Sequence, residues 1–240
     1  MRPTTAFTAP GSQSPSFLLP TRPSPLLPSE RNLTMAPTTV EVVRTARPPA
    51  DDLLDRLDDE RPITTAAGAF RLASVRIKRD LLRIVGWMND PAVAAFWELA
   101  GPASVTEEHL RRQLDGDGHS VPCIGLLEGS PMSYWEIYRA DLDPLARHYP
   151  ALPHDTGIHL LIGGNADRGR GLGGVLIAAV ADLVFGGRPA CARIIAEPDL
   201  RNIASVAAFL NAGFRLSAEI DLPAKRAALL LRDRNPPSLP

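Results

Sequence analysis

The stretch best suited to chemistry is Arg168-Gly169-Arg170-Gly171-Leu172-Gly173-Gly174. It follows a run that reads as a strand and opens one that reads as a helix. Glycines let backbone N–H groups approach a ligand closely. A helix start adds N–H groups without intrahelical partners and the positive end of the peptide dipoles. Arg168 and Arg170 add charge, so the stretch predicts a phosphate or pyrophosphate site. Gly169, Gly171 and Gly174 also meet the G-x-G-x-x-G spacing of a dinucleotide fold. That match is weaker: the glycines begin several residues after the strand, and the acid expected about 20 residues on is poorly matched. A glycine-rich turn with no ligand is the remaining reading.

Two titratable residues flank this loop. His159 interrupts the apolar strand Gly157 to Ile162. A histidine alone in such a strand is more often a satisfied core residue than a reactive one. Glu197 ends the next strand, at the edge where open sheets gather ligands. It reads equally as a charge favoured by a helix N-terminus. Trp97, Trp135, Tyr134 and Tyr138 are candidates for a pocket wall or for plain core. Glu136 alternates with Trp135 and faces either pocket or solvent. His109 and His119 read as surface residues, whereas His148 and His154 lie near the strand of His159 and are candidates for a substrate loop. Cys123 and Cys191 sit in apolar runs and read as reduced, buried thiols. Neither has metal-ligand spacing around it, and no metal is expected.

Around the loop the chain resembles the GNAT superfamily of acyl-CoA N-acyltransferases. The pattern R/Q-x-x-G-x-G/A is met by Arg168, Gly171 and Gly173. Downstream, Asn202, Phe209 and Gly213-Phe214 have the spacing of the helix that flanks coenzyme A. The resemblance implies an α/β fold: a GNAT-like mixed, mostly antiparallel, splayed central sheet flanked by helices. It implies acetyl-CoA or another acyl-CoA as co-substrate. The thioester would enter a gap beside the strand Gly157 to Ile162, and backbone groups of Leu160, Leu161 and Ile162 would pair with pantetheine. Arg168, Gly169, Arg170, Gly171, Leu172, Gly173, Gly174 and Asn202 would hold the rest. One departure stands out. The family often has Tyr where this chain has Phe209, and Phe has no proton for the leaving thiolate.

Further segments resemble one branch, the N-acyltransferases of siderophore biosynthesis. They are Trp87-Met88-Asn89-Asp90-Pro91, Phe96-Trp97-Glu98, Gly101-Pro102, Tyr134 to Tyr138, His148-Tyr149, Asp155 to His159 and Glu197-Pro198-Asp199. Lys225, in Leu222-Pro223-Ala224-Lys225, also matches, without an assigned role. The branch acylates N6-hydroxylysine or a hydroxylated diamine, and its proposed catalytic pair falls on His159 and Glu197. Trp97, Trp135, Glu136 and Tyr138 are the candidates for a substrate wall. A free lysine amine, of pKa ~10.4, must lose a proton before attack. An N-hydroxylated amine is less basic and arrives neutral. His159 then takes a proton as the tetrahedral adduct forms, while Glu197 holds the imidazole or binds the N–OH. Other expectations stay open: an aminoglycoside or protein N-terminus acetyltransferase, or an acyl-CoA-binding module without activity. Acetyl, succinyl or longer acyl groups, and an acyl carrier protein as donor, remain open too.

The elements that must position these residues follow from pattern. Phe70 to Ile77 alternates as a strand, Asp80 to Met88 reads as a helix, and Pro91 starts another. Thr106 to Leu114 reads as a third helix with Thr106 as cap. Val121 to Leu127 and Met132 to Tyr138 form a hairpin around Glu128-Gly129-Ser130-Pro131. Then come the strand Gly157 to Ile162, helix Gly171 to Phe185, strand Ala192 to Ala196, helix Asn202 to Asn211 and strands Phe214 to Ile220 and Ala227 to Leu231. Residues 1–50, rich in Pro, Ser and Thr, are expected to be disordered, with Met35 a candidate true start. Residues 51–68 are expected to be a linker or leading helix, residues 69–234 the acyltransferase domain, and residues 235–240 a tail. Across 240 residues the formal net charge is −1, which argues against a nucleic-acid partner. No stretch approaches 18 apolar residues, so no membrane span is expected and the protein is placed in the cytoplasm.

Overall fold

A computed structural model describes Leu54 and residues 61–235. The tail expected over 1–50, the start at Met35 and the C-terminal tail beyond Asn235 lie outside the described residues. Eight strands form one sheet: β1 (Ile63–Thr65), β2 (Gly68–Ser74), β3 (Ser120–Leu127), β4 (Ser130–Arg139), β5 (Thr156–Ile162), β6 (Arg193–Ala196), β7 (Arg215–Asp221) and β8 (Arg226–Asp233). Their order is β1-β2-β3-β4-β5-β6-β8-β7, and every pairing is antiparallel except β5 with β6. Among the described residues five α-helices accompany them: α1 (Ile77–Met88), α2 (Pro91–Trp97), α3 (Ala103–Leu114), α4 (Leu172–Gly187) and α5 (Ile203–Asn211). The mixed, mostly antiparallel α/β sheet expected from the sequence is the fold observed.

The splay is present too. β5 and β6 pair only at Thr156 with Ile194 and Gly157 with Ile195. Beyond that point β5 continues to Ile162 while β6 ends at Ala196, so the sheet opens beside His159.

Side chains alternate across a strand, and β4 shows both faces. Trp135 and Ile137 join the core under α4, with Leu176, Ile177, Val180 and Val184. Tyr134 joins the core under α1 and α3, with Ile84, Met88, Leu110 and Leu161. Cys123 and Cys191 are free and buried.

Three local features differ from the sequence expectation. Residues 63–65, placed in a linker, form β1 and pair with β2. α3 begins at Ala103, behind Pro102 in extended conformation, so Thr106 lies inside the helix. Its side chain is buried and its Oγ1 finds no hydrogen-bond partner among the described residues. The β3–β4 turn needs only Glu128 and Gly129, with φ of 48° and 76°. These values suit a two-residue hairpin whose twist matches its strands. Pro131 already lies in β4, next to a register shift where its missing N–H is tolerated.

The branch segment around Asn89 proves to be joinery. Asn89 exchanges hydrogen bonds with Gly101 through both its amide groups, Nδ2 to the carbonyl at 3.0 Å and Oδ1 from the N–H at 2.9 Å. Asp90 caps α2 by accepting the Ala92 N–H at 2.9 Å. α2 is thereby held over the sheet, with Trp97 edge-on to Tyr134 at 5.5 Å.

Candidate active site

His159 and Glu136 stand directly opposite one another in the β4–β5 register. That register brings His159 Nδ1 to 3.1 Å from Glu136 Oε2. On the far side of the ring, Nε2 lies 2.5 Å from Oε1 of Glu197, just past the end of β6. The sheet's opening thus sets His159 between two carboxylates. Glu197 also accepts the Tyr138 hydroxyl at 2.9 Å. Tyr138 reaches it because Gly157 lies opposite, and a Cβ there would overlap the tyrosine ring.

Each carboxylate has further partners. Oε1 of Glu136 accepts from the Tyr134 hydroxyl at 2.8 Å and from Gln113 Nε2 at 2.8 Å, and His109 Nε2 lies 2.6 Å away. Lys225 Nζ stands 3.6 Å from Glu197 Oε1. Burial by itself disfavours the charged form of His159, but Glu197 and Glu136 outweigh it and raise the imidazole well above its ordinary value. Burial opposes ionisation of Glu197 as well, and the charge of His159 overcomes it, holding the carboxyl at about 2. Glu136 is likewise held below its usual range against burial, by His109 and His159. Burial and the Glu197 charge keep the Tyr138 hydroxyl protonated. With both ring nitrogens facing carboxylates, His159 is an imidazolium with no free lone pair. The sequence pictured a neutral imidazole waiting for a proton.

Three cavities run in series through this point. A groove of about 470 Å³ is lined by Leu160, Leu161, Ile162, Arg168, Gly169, the 171–174 turn and α5, including Asn202. It shares Trp97, Leu160, Asn202 and Ser205 with a reaction pocket of about 250 Å³ that holds His159, Glu197, Phe209 and Lys225. That pocket shares His109, Glu136, His159 and Glu197 with a polar cavity of about 290 Å³.

The groove carries the features of a phosphate site. Gly169 and Gly171 have φ of 72° and 76°, a region that favours glycine, and a Cβ on either would meet nothing. No side chain caps α4 at Gly171, so its first N–H groups stay available to a ligand. Gly173 and Gly174 serve another purpose: a Cβ there would come within 3.2 and 3.3 Å of α5. The arginines are placed differently from expectation. Arg168 donates to the carbonyls of Ile162 and Gly163 and pairs with Asp90 at 2.9 Å, so its charge is used within the protein. Arg170 lies outside the groove wall, exposed and 3.7 Å from Asp167. The groove thus presents the loop's backbone together with an Arg168 whose charge is already paired with Asp90.

A splayed β5–β6 pair, a glycine turn opening α4 and the Asn202 cap on α5 are now joined by a sequence match. The pattern of the acetyltransferase (GNAT) domain covers residues 76–222. The chain belongs to the GNAT acetyltransferase family and is an N-acyltransferase. It is 34% identical over 193 residues to the lysine N-acyltransferase MbtK of Mycobacterium tuberculosis, covering 75% of this chain and 91% of that protein. It is 33% identical over 187 residues to the N(6)-hydroxylysine O-acetyltransferase of Escherichia coli, covering 73% of this chain and 59% of that protein. Among solved structures, an uncharacterized protein from Bacillus halodurans matches with a TM-score of 0.68 at 32% identity, over 72% of this chain and 89% of that one. The aminoglycoside acetyltransferase AAC(6')-Ib, solved with coenzyme A and kanamycin, matches with a TM-score of 0.62 at 25% identity, over 69% of this chain and 95% of that one. No described helix is long and apolar enough to cross a membrane.

Against this frame, His159, Glu197, Glu136, Tyr138 and Trp97 do converge. Trp135 does not: residues two apart share a strand face, so between Tyr134 and Glu136 it must point to the α4 core, where it is fully buried. His148 and His154 line none of the three cavities; the His154 N–H instead bonds Asp141 at 2.9 Å. The sequence reading placed His109 and His119 on the surface, left Lys225 without a role and did not single out Gln113; all four line these cavities. Gln113 is one turn from His109, a spacing that puts both on one face of α3. His119 stacks on Tyr138 at 6.3 Å and lies 3.2 Å from Asp143. For Lys225 the only signal was its branch motif.

Proposed function

We propose that the protein transfers an acyl group from acyl-coenzyme A to the hydroxylated side-chain amine of a small diamino compound, N6-hydroxylysine first among them. The product is a hydroxamate, a bidentate iron ligand of siderophore biosynthesis. The observation that carries this is the Glu136–His159–Glu197 row, set where the groove meets the reaction pocket. Relatives named for lysine, N6-hydroxylysine and hydroxyornithine acylation support the substrate class.

The acyl donor lies in the groove, its phosphates at the 169–174 turn and its thioester at the splay. The hydroxylated amine arrives neutral and attacks the thioester carbonyl. As the C–N bond forms, Glu197 takes the proton from nitrogen. Protonation removes one of the two charges that hold the His159 proton. The imidazolium becomes a stronger acid as the C–S bond breaks, and its Nε2 proton, no longer held by the Glu197 charge, passes to the thiolate that Phe209 cannot serve. The proton then passes from Glu197 to His159 across their 2.5 Å contact, restoring both groups. The edge of β5 that β6 leaves unpaired offers N–H groups to the oxyanion. Where one such donor has been removed in other enzymes the loss is ~3–4 kcal/mol.

A thiol-release assay with acetyl-CoA tests the reading, offering lysine, N6-hydroxylysine and N-hydroxycadaverine. Hydroxylated amines should turn over about tenfold faster than lysine or more, and equal rates would sink the acceptor assignment. His159→Gln should lower kcat by roughly 10²-fold or more, the range of general acid–base catalysis. Full activity in that variant would remove His159 from the chemistry.

A further inference from the structure

The polar cavity shares four residues with the reaction pocket and none with the groove. It is therefore the way in for the acceptor. Arg112 lines it from α3, three residues after His109 and so on the same face, about one 5.4 Å turn from the residue that touches Glu136. The Arg112 guanidinium has no hydrogen bond or ion pair among the described residues. Opposite in charge, Asp117 lines the same cavity, and among the described residues only its Oδ1 is engaged, by the His119 N–H at 3.1 Å.

We infer that this cavity is a subsite for the zwitterionic end of an amino-acid acceptor, with Arg112 binding the α-carboxylate and Asp117 the α-ammonium. The inference rests on the acceptor class proposed above. A planar guanidinium suits a carboxylate, which it can grip with two parallel N–H bonds. The other candidate cation, Lys225, faces Glu197 at 3.6 Å and is already matched by that charge. An acceptor held by its α-carbon groups at Arg112 and Asp117 extends its aliphatic chain past Tyr138, with the hydroxylated nitrogen at His159 and Glu197. Arg112 then acts as a specificity determinant: it separates an amino acid from the corresponding decarboxylated diamine.

Steady-state kinetics with two acceptors test this. N6-hydroxylysine carries both α groups, whereas N-hydroxycadaverine keeps the ammonium and lacks the carboxylate. The wild type should show the lower KM for N6-hydroxylysine. Arg112→Met should raise that KM tenfold or more with kcat nearly unchanged, and leave the KM for N-hydroxycadaverine as it was. Asp117→Asn should raise both. N-hydroxycadaverine turnover in Arg112→Met also reports that the variant is folded. An unchanged KM for N6-hydroxylysine in Arg112→Met, or equal wild-type KM values for the two acceptors, overturns the subsite while leaving the acyl transfer standing. If the wild type turns over neither acceptor, the acceptor class falls and the subsite with it.

Discussion

At the scale of the residue, Glu136 changes what His159 is. One carboxylate beside a histidine orients it, whereas two fix a proton on each nitrogen. A histidine whose pKa is raised by folding stabilises the native state fully below its unfolded value of ~6.5. That contribution fades as pH climbs through the folded value, about 10. Glu197 works with the opposite sign: its contribution is present above ~4.3 and is lost as pH falls toward about 2. The row is therefore most favourable in mildly acidic to neutral solution and loosens on the alkaline side first. Glu136→Gln keeps the shape and removes one charge. The His159 titration, followed by NMR of the ring protons, should move down by about a unit or more in that variant. The alkaline limb of kcat should move with it, and an unmoved titration would mean that Glu197 alone sets the state of His159.

At the scale of the element, Asp90 joins two pieces that the sequence presents as separate motifs. It caps α2 and, through Arg168, ties the residues just before the glycine turn to that helix. Asp90→Ala should cost about 1 kcal/mol for the cap, a fall in Tm of roughly 2–4 °C for a domain of this size. It should also raise the KM for acyl-CoA, because Arg168 keeps its bonds to Ile162 and Gly163 but no longer ties them to α2. Asp90→Asn restores the cap but not the charge. Calorimetry should then find stability largely recovered while the donor KM stays high; a normal KM would show that the ion pair has no part in donor binding. The same elements show what was legible beforehand. Turn glycines, a proline at the start of α2 and the spacing from Arg168 to Phe214 are local signals, and they pointed to the fold and to the groove proposed for the donor. Glu136 needed the β4–β5 register, which depends on how residues 140–155 fold back. His109 lies on the polar side of α3, and such a face reads as solvent until its neighbour across the cavity is known. Thr106 misled the start of α3 because a threonine before an apolar run signals a cap unless the helix is already under way.

At the scale of the molecule, the three cavities in series decide the kinetic order. On the proposed assignment of groove and polar cavity, donor and acceptor approach His159 from opposite sides, so neither has to leave before the other enters. An acyl-enzyme intermediate would need a free nucleophile at the junction. Both nitrogens of His159 face carboxylates, and the two cysteines are buried and line none of the three cavities. Lys225 and Ser205 also line the reaction pocket, and Lys225 pairs with Glu197 at 3.6 Å, so the expected route is direct transfer in a ternary complex. Initial-rate lines measured against acyl-CoA at several acceptor concentrations should intersect, as sequential kinetics require, not run parallel as in a ping-pong scheme. Acyl-CoA mixed with the enzyme alone should release no stoichiometric burst of thiol. A burst, or a mass increase of the protein equal to one acyl group, would show that some side chain is acylated first. In that case the proton exchange between Glu197 and His159 would serve the formation of that intermediate and not the attack of the amine.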